Sequence, residues 1–73
     1  MGQRLRLVSE REAVKKLERA GWSPVRQRAS HMMLTHPQYR WTLSVPDHRE
    51  LGPGLLGKIV KQAGLTVEAF NEL

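Results

Sequence analysis

Ser30-His31-Met32-Met33-Leu34-Thr35-His36-Pro37-Gln38-Tyr39-Arg40-Trp41-Thr42-Leu43-Ser44-Val45-Pro46 is the stretch that decides the fold. Ser30 to His36 reads as one strand, Pro37-Gln38-Tyr39 as a turn and Arg40 to Val45 as the next strand. In the later run Trp41, Leu43 and Val45 alternate with Thr42 and Ser44, so one face packs inward. Pro46 ends it. In the earlier run Met32 and Leu34 share one face, and His31, Met33 and Thr35 share the other. With Met32 and Leu34 in the core, His31 faces outward.

Working outward, Trp22 to Arg28 reads as a further strand, confined by Pro24 to a sheet edge. Before it, Ser9-Glu10-Arg11-Glu12 is a capping-box sequence, and Ala13, Val14, Leu17 and Ala20 follow at helical spacing. Gly21 closes a helix over about residues 10–20. On the other side, Gly52-Pro53-Gly54 opens a helix whose stripe is Leu55, Leu56, Ile59, Val60 and Ala63, and Gly64 stops it. Thr66 caps a short last helix carrying Val67, Phe70 and Leu73. Tightly joined strands favour one antiparallel sheet with the helices on one face. The α+β order, helix, three strands, helix and short C-terminal helix, is similar to the double-stranded-RNA-binding-domain fold. We expect an N-terminal arm over residues 1–8, free to be flexible, and a single domain over 9–73.

A chain of 73 residues has no room for a cofactor domain or a deep cavity, and buries only roughly 60% of its unfolded surface. It has no cysteine, hence no disulfide framework or thiolate metal site. No apolar stretch is long enough for a bilayer, and the N-terminus lacks the apolar segment of a signal peptide. Cytoplasmic residence fits this, with no membrane partner. The net charge of +5 points to a polyanionic partner. Eight of the twelve basic residues are arginines, which suit phosphate. Arg11, Lys15 and Arg19 repeat along the first helix, and Lys58 and Lys61 along the second. Such stripes are commonly solvated faces, but on a basic domain phosphate contact is about as good a reading.

Three histidines invite a metal reading, but His31 and His36 lie five residues apart and point to opposite faces of a strand. No ligand spacing is recognisable, and we expect no metal and no small-molecule cofactor. His31 has the best case for chemistry, because a histidine can give or take a proton at cellular pH and Arg26 and Arg28 lie at the neighbouring edge. Cleaving RNA without a metal needs a proton acceptor for the attacking hydroxyl and cations at the phosphorus. The plain reading, a surface histidine in a strand, is favoured by composition and spacing alone. Trp22 and Trp41 could stack on bases, but core packing is the expected role, firmly so for Trp41.

Several segments together resemble the HicA toxins. They are Lys16-Leu17-Glu18-Arg19-Ala20-Gly21-Trp22, Arg26-Gln27-Arg28-Ala29-Ser30-His31, His36-Pro37, Val45-Pro46-Asp47-His48 and Leu56-Gly57-Lys58-Ile59-Val60-Lys61-Gln62-Ala63-Gly64-Leu65. The likeness runs from Ser9 to Leu73 in the family's order. It implies metal-independent endoribonuclease activity on mRNA and neutralisation by a cognate HicB-type antitoxin. His31 occupies the place of the histidine in the family's Gly-Ser-His motif and is implied to be catalytic. His36 and His48 match turn and strand-end motifs, as structural or RNA-contacting residues. Ala29 stands where the family has glycine: if that position needs positive φ, alanine is strained there. Gln38-Tyr39 replaces the family's Asp-Gly turn.

The candidate set is therefore His31 as acid or base, with Arg26, Arg28, Ser30, Lys58 and Lys15 binding RNA phosphate. The rival reading is a basic RNA-binding module, or an inactive relative retained for its partner.

Overall fold

The computed structural model describes residues 3–47, 49 and 51–73. Among them, three helices and three strands run in the expected order: α1 Glu10–Arg19, β1 Ser23–Arg28, β2 His31–His36, β3 Tyr39–Pro46, α2 Pro53–Gln62 and α3 Val67–Glu72. The sheet is antiparallel in the order β1-β2-β3, with α1 and α2 packed on one of its faces.

Each helix starts where its cap dictates. Ser9 Oγ accepts from the Glu12 amide at 3.3 Å, the serine half of the capping box. Proline occupies the first turn of α2, where a missing N–H costs nothing. Thr66 Oγ1 accepts from Ala69 at 3.1 Å. Gly21 and Gly64 follow α1 and α2 at φ +101° and +76°, the left-handed conformation that ends a helix.

The core lies between sheet and helices: Leu34, Leu43 and Val45 meet Ala13 and Leu17 of α1 and Leu56, Ile59 and Val60 of α2, with Trp22 and Phe70 closing its ends. β1 contributes no buried side chain. It is held through its pairing with β2, and a bulge at Val25 with Pro24 disrupts the register there. Two expectations need correction. Leu55 is 37% exposed rather than part of the buried stripe, and Trp41 is 50% exposed rather than core. Trp41 does share the inner side of β3 with Leu43, but it stands beyond the last turn of α2, so no helix covers it.

The reason lies in an aromatic cluster at this end of the sheet. Trp22 Nε1 donates to the Ala63 carbonyl at 3.3 Å and Trp41 Nε1 to the Gln62 carbonyl at 2.8 Å. Two indoles thus satisfy consecutive carbonyls that the end of α2 leaves without helical partners. Tyr39 stacks on Trp22, centroids 5.3 Å apart and rings 2° from parallel, and meets Trp41 at 4.9 Å. His36 accepts from the Gln38 amide at Nδ1 (3.0 Å), which leaves Nε2–H to donate to the Ala20 carbonyl (3.3 Å) at the end of α1. His36 is therefore structural.

Residues 3–8, expected as an arm, lie against α3. Gln3 N–H donates to Glu68 Oε2 and Arg6 N–H to Asn71 Oδ1, each at 3.0 Å, while Asn71 Nδ2 donates to the Arg4 carbonyl at 2.8 Å. Val8 is buried, and its carbonyl accepts from Leu51 N–H at 3.1 Å. Lys16 Nζ, over the Phe70 ring, donates to the Phe70 carbonyl at 3.0 Å and ties α1 to the end of α3.

Two predictions follow from these contacts. A Cβ on Gly64 would overlap the Tyr39 hydroxyl and force alanine to positive φ. Gly64→Ala should cost about 2 kcal/mol or more in urea unfolding, with part recovered by adding Tyr39→Phe. The Gln3 amide and its own backbone N–H hold Glu68 below its ordinary 4.5. A lowered folded value means that its contribution is present above 4.5 and is lost as pH falls through the lowered value. The protection of the Gln3 amide, its exchange rate relative to the free amide at the same pH, should therefore fall on acidification below 4.5 and be lost at all pH in Glu68→Ala.

Candidate RNA-cleavage site

β1 and β2 are joined by the two-residue turn Ala29-Ser30, and the pair that closes it is Arg28 opposite His31. Directly opposed residues point to the same face with Cβ atoms about 4.5–5.5 Å apart, and diagonal neighbours lie about 7–8 Å away. Arg28 therefore stands beside His31, and Arg26, opposite Met33, is its diagonal neighbour. Leu34 buried and Met32 packed on the core leave His31, with exposed Arg26 and Arg28, on the face away from the helices. The outward placement of His31 follows from the alternation of β2. His36, on the other side, belongs to the aromatic cluster.

The turn carries strain. Ala29 has φ +54° and Ser30 does not share the positive φ, the sign pattern of a type II′ hairpin, whose first central position favours glycine. The Ser30 carbonyl accepts from the Asp47 amide at 2.7 Å, so the chain leaving β3 braces the turn from which His31 departs. The side chain of Ser30 is exposed at the tip.

Beyond this brace opens a groove of about 600 Å³ lined by Ser9, Glu10, Arg11, Asp47 and Arg49. Its wall carries two guanidiniums, Arg11 and Arg49, and two carboxylates, Glu10 and Asp47, and His31 is not part of it. Arg49 lies far from His31 in sequence, and no spacing rule could have joined them. Arg11 opens the basic stripe of α1. Lys15 and Lys58 are exposed, but they stand on helices that cover the opposite face of the sheet. The structure thus gathers His31, Arg26, Arg28 and Ser30, and does not gather Lys15 and Lys58 with them. His48 lies outside the described residues.

Chemically, the cluster offers an imidazole open to solvent with two guanidiniums on one side, able to exchange a proton and to hold an oxyanion. The strain at Ala29 yields a direct check. Ala29→Gly should stabilise the domain by about 1 kcal/mol, raising Tm by about 4–8 °C in a calorimetric scan. An unchanged or lowered Tm would show that the turn is not strained at this residue.

The family model described as the HicA toxin of bacterial toxin–antitoxin matches residues 11–65. No curated protein matches the chain. The matched span runs from the first turn of α1 through the sheet and α2 to the residue after Gly64, and so includes the strained turn and His31. The chain belongs to the HicA toxin family.

Proposed function

We propose that this chain is an endoribonuclease that cleaves mRNA without a metal ion, with His31 as its acid–base residue, and that a HicB-type antitoxin protein neutralises it in the cytoplasm. The observation that carries the reading is the exposed His31 imidazole beside Arg28, with Arg26 on its diagonal. In this reading the RNA lies on the outer face of the sheet. His31 takes the proton of a ribose 2′-hydroxyl, whose oxygen attacks the adjacent phosphorus. The O2′–P bond forms as the P–O5′ bond breaks, leaving a cyclic phosphate and a 5′-hydroxyl, the latter protonated from solvent. Arg28 and Arg26 hold the non-bridging oxygens, whose charge grows in the transition state. Ser30 at the turn tip is placed to donate a further hydrogen bond to phosphate.

The test is cleavage of a long mRNA by the purified protein in EDTA, beside His31→Ala. The wild type should cut, and the variant should lose about 10²–10⁴-fold in rate. Its unfolding free energy should stay within about 0.5 kcal/mol of wild type, because His31 is exposed. Arg26→Ala and Arg28→Ala should each weaken binding across all sequences and lower the salt slope by about 0.7. RNA bound by both proteins but cut by neither would assign the chain as a binding module.

A further inference from the structure

We propose that Trp41 is a stacking platform for an unpaired nucleobase, a second RNA contact remote from His31. It rests on the reading of this chain as an RNA-cleaving protein and deepens it.

Fully burying a large apolar side chain contributes to stability, and Trp22 shows that this fold has room to do so, at 1% exposure. Trp41 forgoes half of that, at 50% exposure, yet is not a loose surface ring. Its Nε1–H is bonded to the Gln62 carbonyl at 2.8 Å, and it rests against Tyr39 at 4.9 Å, itself stacked on Trp22. An indole already fixed by such contacts loses little further rotamer freedom when a flat ligand lands on it.

The surroundings select the ligand. Lys61 directly precedes Gln62, and Lys58, four residues before Gln62, lies on the same side of α2. Both lysines are exposed. Neither β3 nor α2 contains a carboxylate. An open aromatic face among cations, with no acid on either element, fits a base and its flanking phosphates, and this stacking tolerates any base. The placement also gives Lys58 a use that its distance from the His31 face denies it. Pro46 is paired with His31, and Trp41 lies toward the other end of β3, in the irregular stretch between Leu43, opposite Leu34, and Tyr39, opposite His36. His31 is on the outer face and Trp41 on the helix side, so a single strand that engages both passes over the β3 edge of the sheet.

The experiment uses the His31→Ala protein, so that RNA survives, and follows tryptophan emission during titration with single-stranded oligoadenylate of about ten nucleotides. A duplex of the same length is the control. The single strand should quench emission and the duplex should not. Trp41→Leu in this background should abolish the quenching and weaken single-strand affinity by about tenfold. Trp41→Phe should restore most of the affinity without the signal, which a purely structural role for the indole would not produce. If the leucine variant fails to fold, the quenching and the phenylalanine variant decide the matter. Single-strand RNA bound with no quenching and undiminished affinity in Trp41→Leu would overturn the platform and leave the cleavage reading standing. Absence of RNA binding would overturn both. Emission that changes with protein concentration alone would overturn it too, marking a self-association surface.

Discussion

The C-terminal ends of α1 and α2 are closed by aromatic N–H groups from the sheet and from Trp22 just before it, and the rest of the fold hangs on this. Helix ends leave carbonyls without partners, and buried ones must find donors. Here Trp22 supplies one to the buried Ala63 carbonyl, while His36 and Trp41 donate to Ala20 and Gln62 nearer the surface. The three rings surround Tyr39, so satisfying the carbonyls also sets how far the helices slide over the strands. Gly21 and Gly64 are required at the same junction, where a Cβ would meet His36 Nε2 at 2.7 Å or the ring of Tyr39. With one end of the sheet so fixed, the far end is free to carry a strained turn and exposed chemistry.

Much of this was legible in the sequence, for physical reasons. Ser9, Gly21, Gly64 and Thr66 mark helix limits because each solves a local backbone problem. The alternation of β2 and β3 assigns faces, and it put His31 outside and Leu34, Leu43 and Val45 inside. What alternation does not carry is how far the opposing layer extends. Trp41 lies on the inner side of β3, but α2 ends before covering it, and only the three-dimensional length of α2 against β3 reveals that. Leu55 failed for a related reason: the stripe read from α2 was wider than the surface available to receive it. The bulge at Val25 left no mark beyond Pro24.

The candidate site divides in the same way. His31, Arg28 and Arg26 were legible together because hairpin pairing follows from neighbouring strands. Lys15 and Lys58 were grouped with them on charge alone, and charge says nothing about which layer a residue occupies. Ala29 needed both sources: the resemblance raised the question of positive φ, and the backbone angle answers it. Residues 3–8 looked like an arm because they precede the capping box, and the brief alternation Arg4-Leu5-Arg6-Leu7 names no partner. Their anchorage depends on Asn71 and Glu68, more than sixty residues away.

β1 has all its side chains exposed and is retained by its backbone pairing with β2 and limited contact with α1. Apart from Pro24 at the bulge, the fold asks of this strand only that it be able to extend. Its side chains are therefore open to drift under selection without the stability losses that accompany core changes. Because Arg26 and Arg28 stand on it, a lineage of such proteins could retune what lies beside His31 one substitution at a time while the framework stays unchanged.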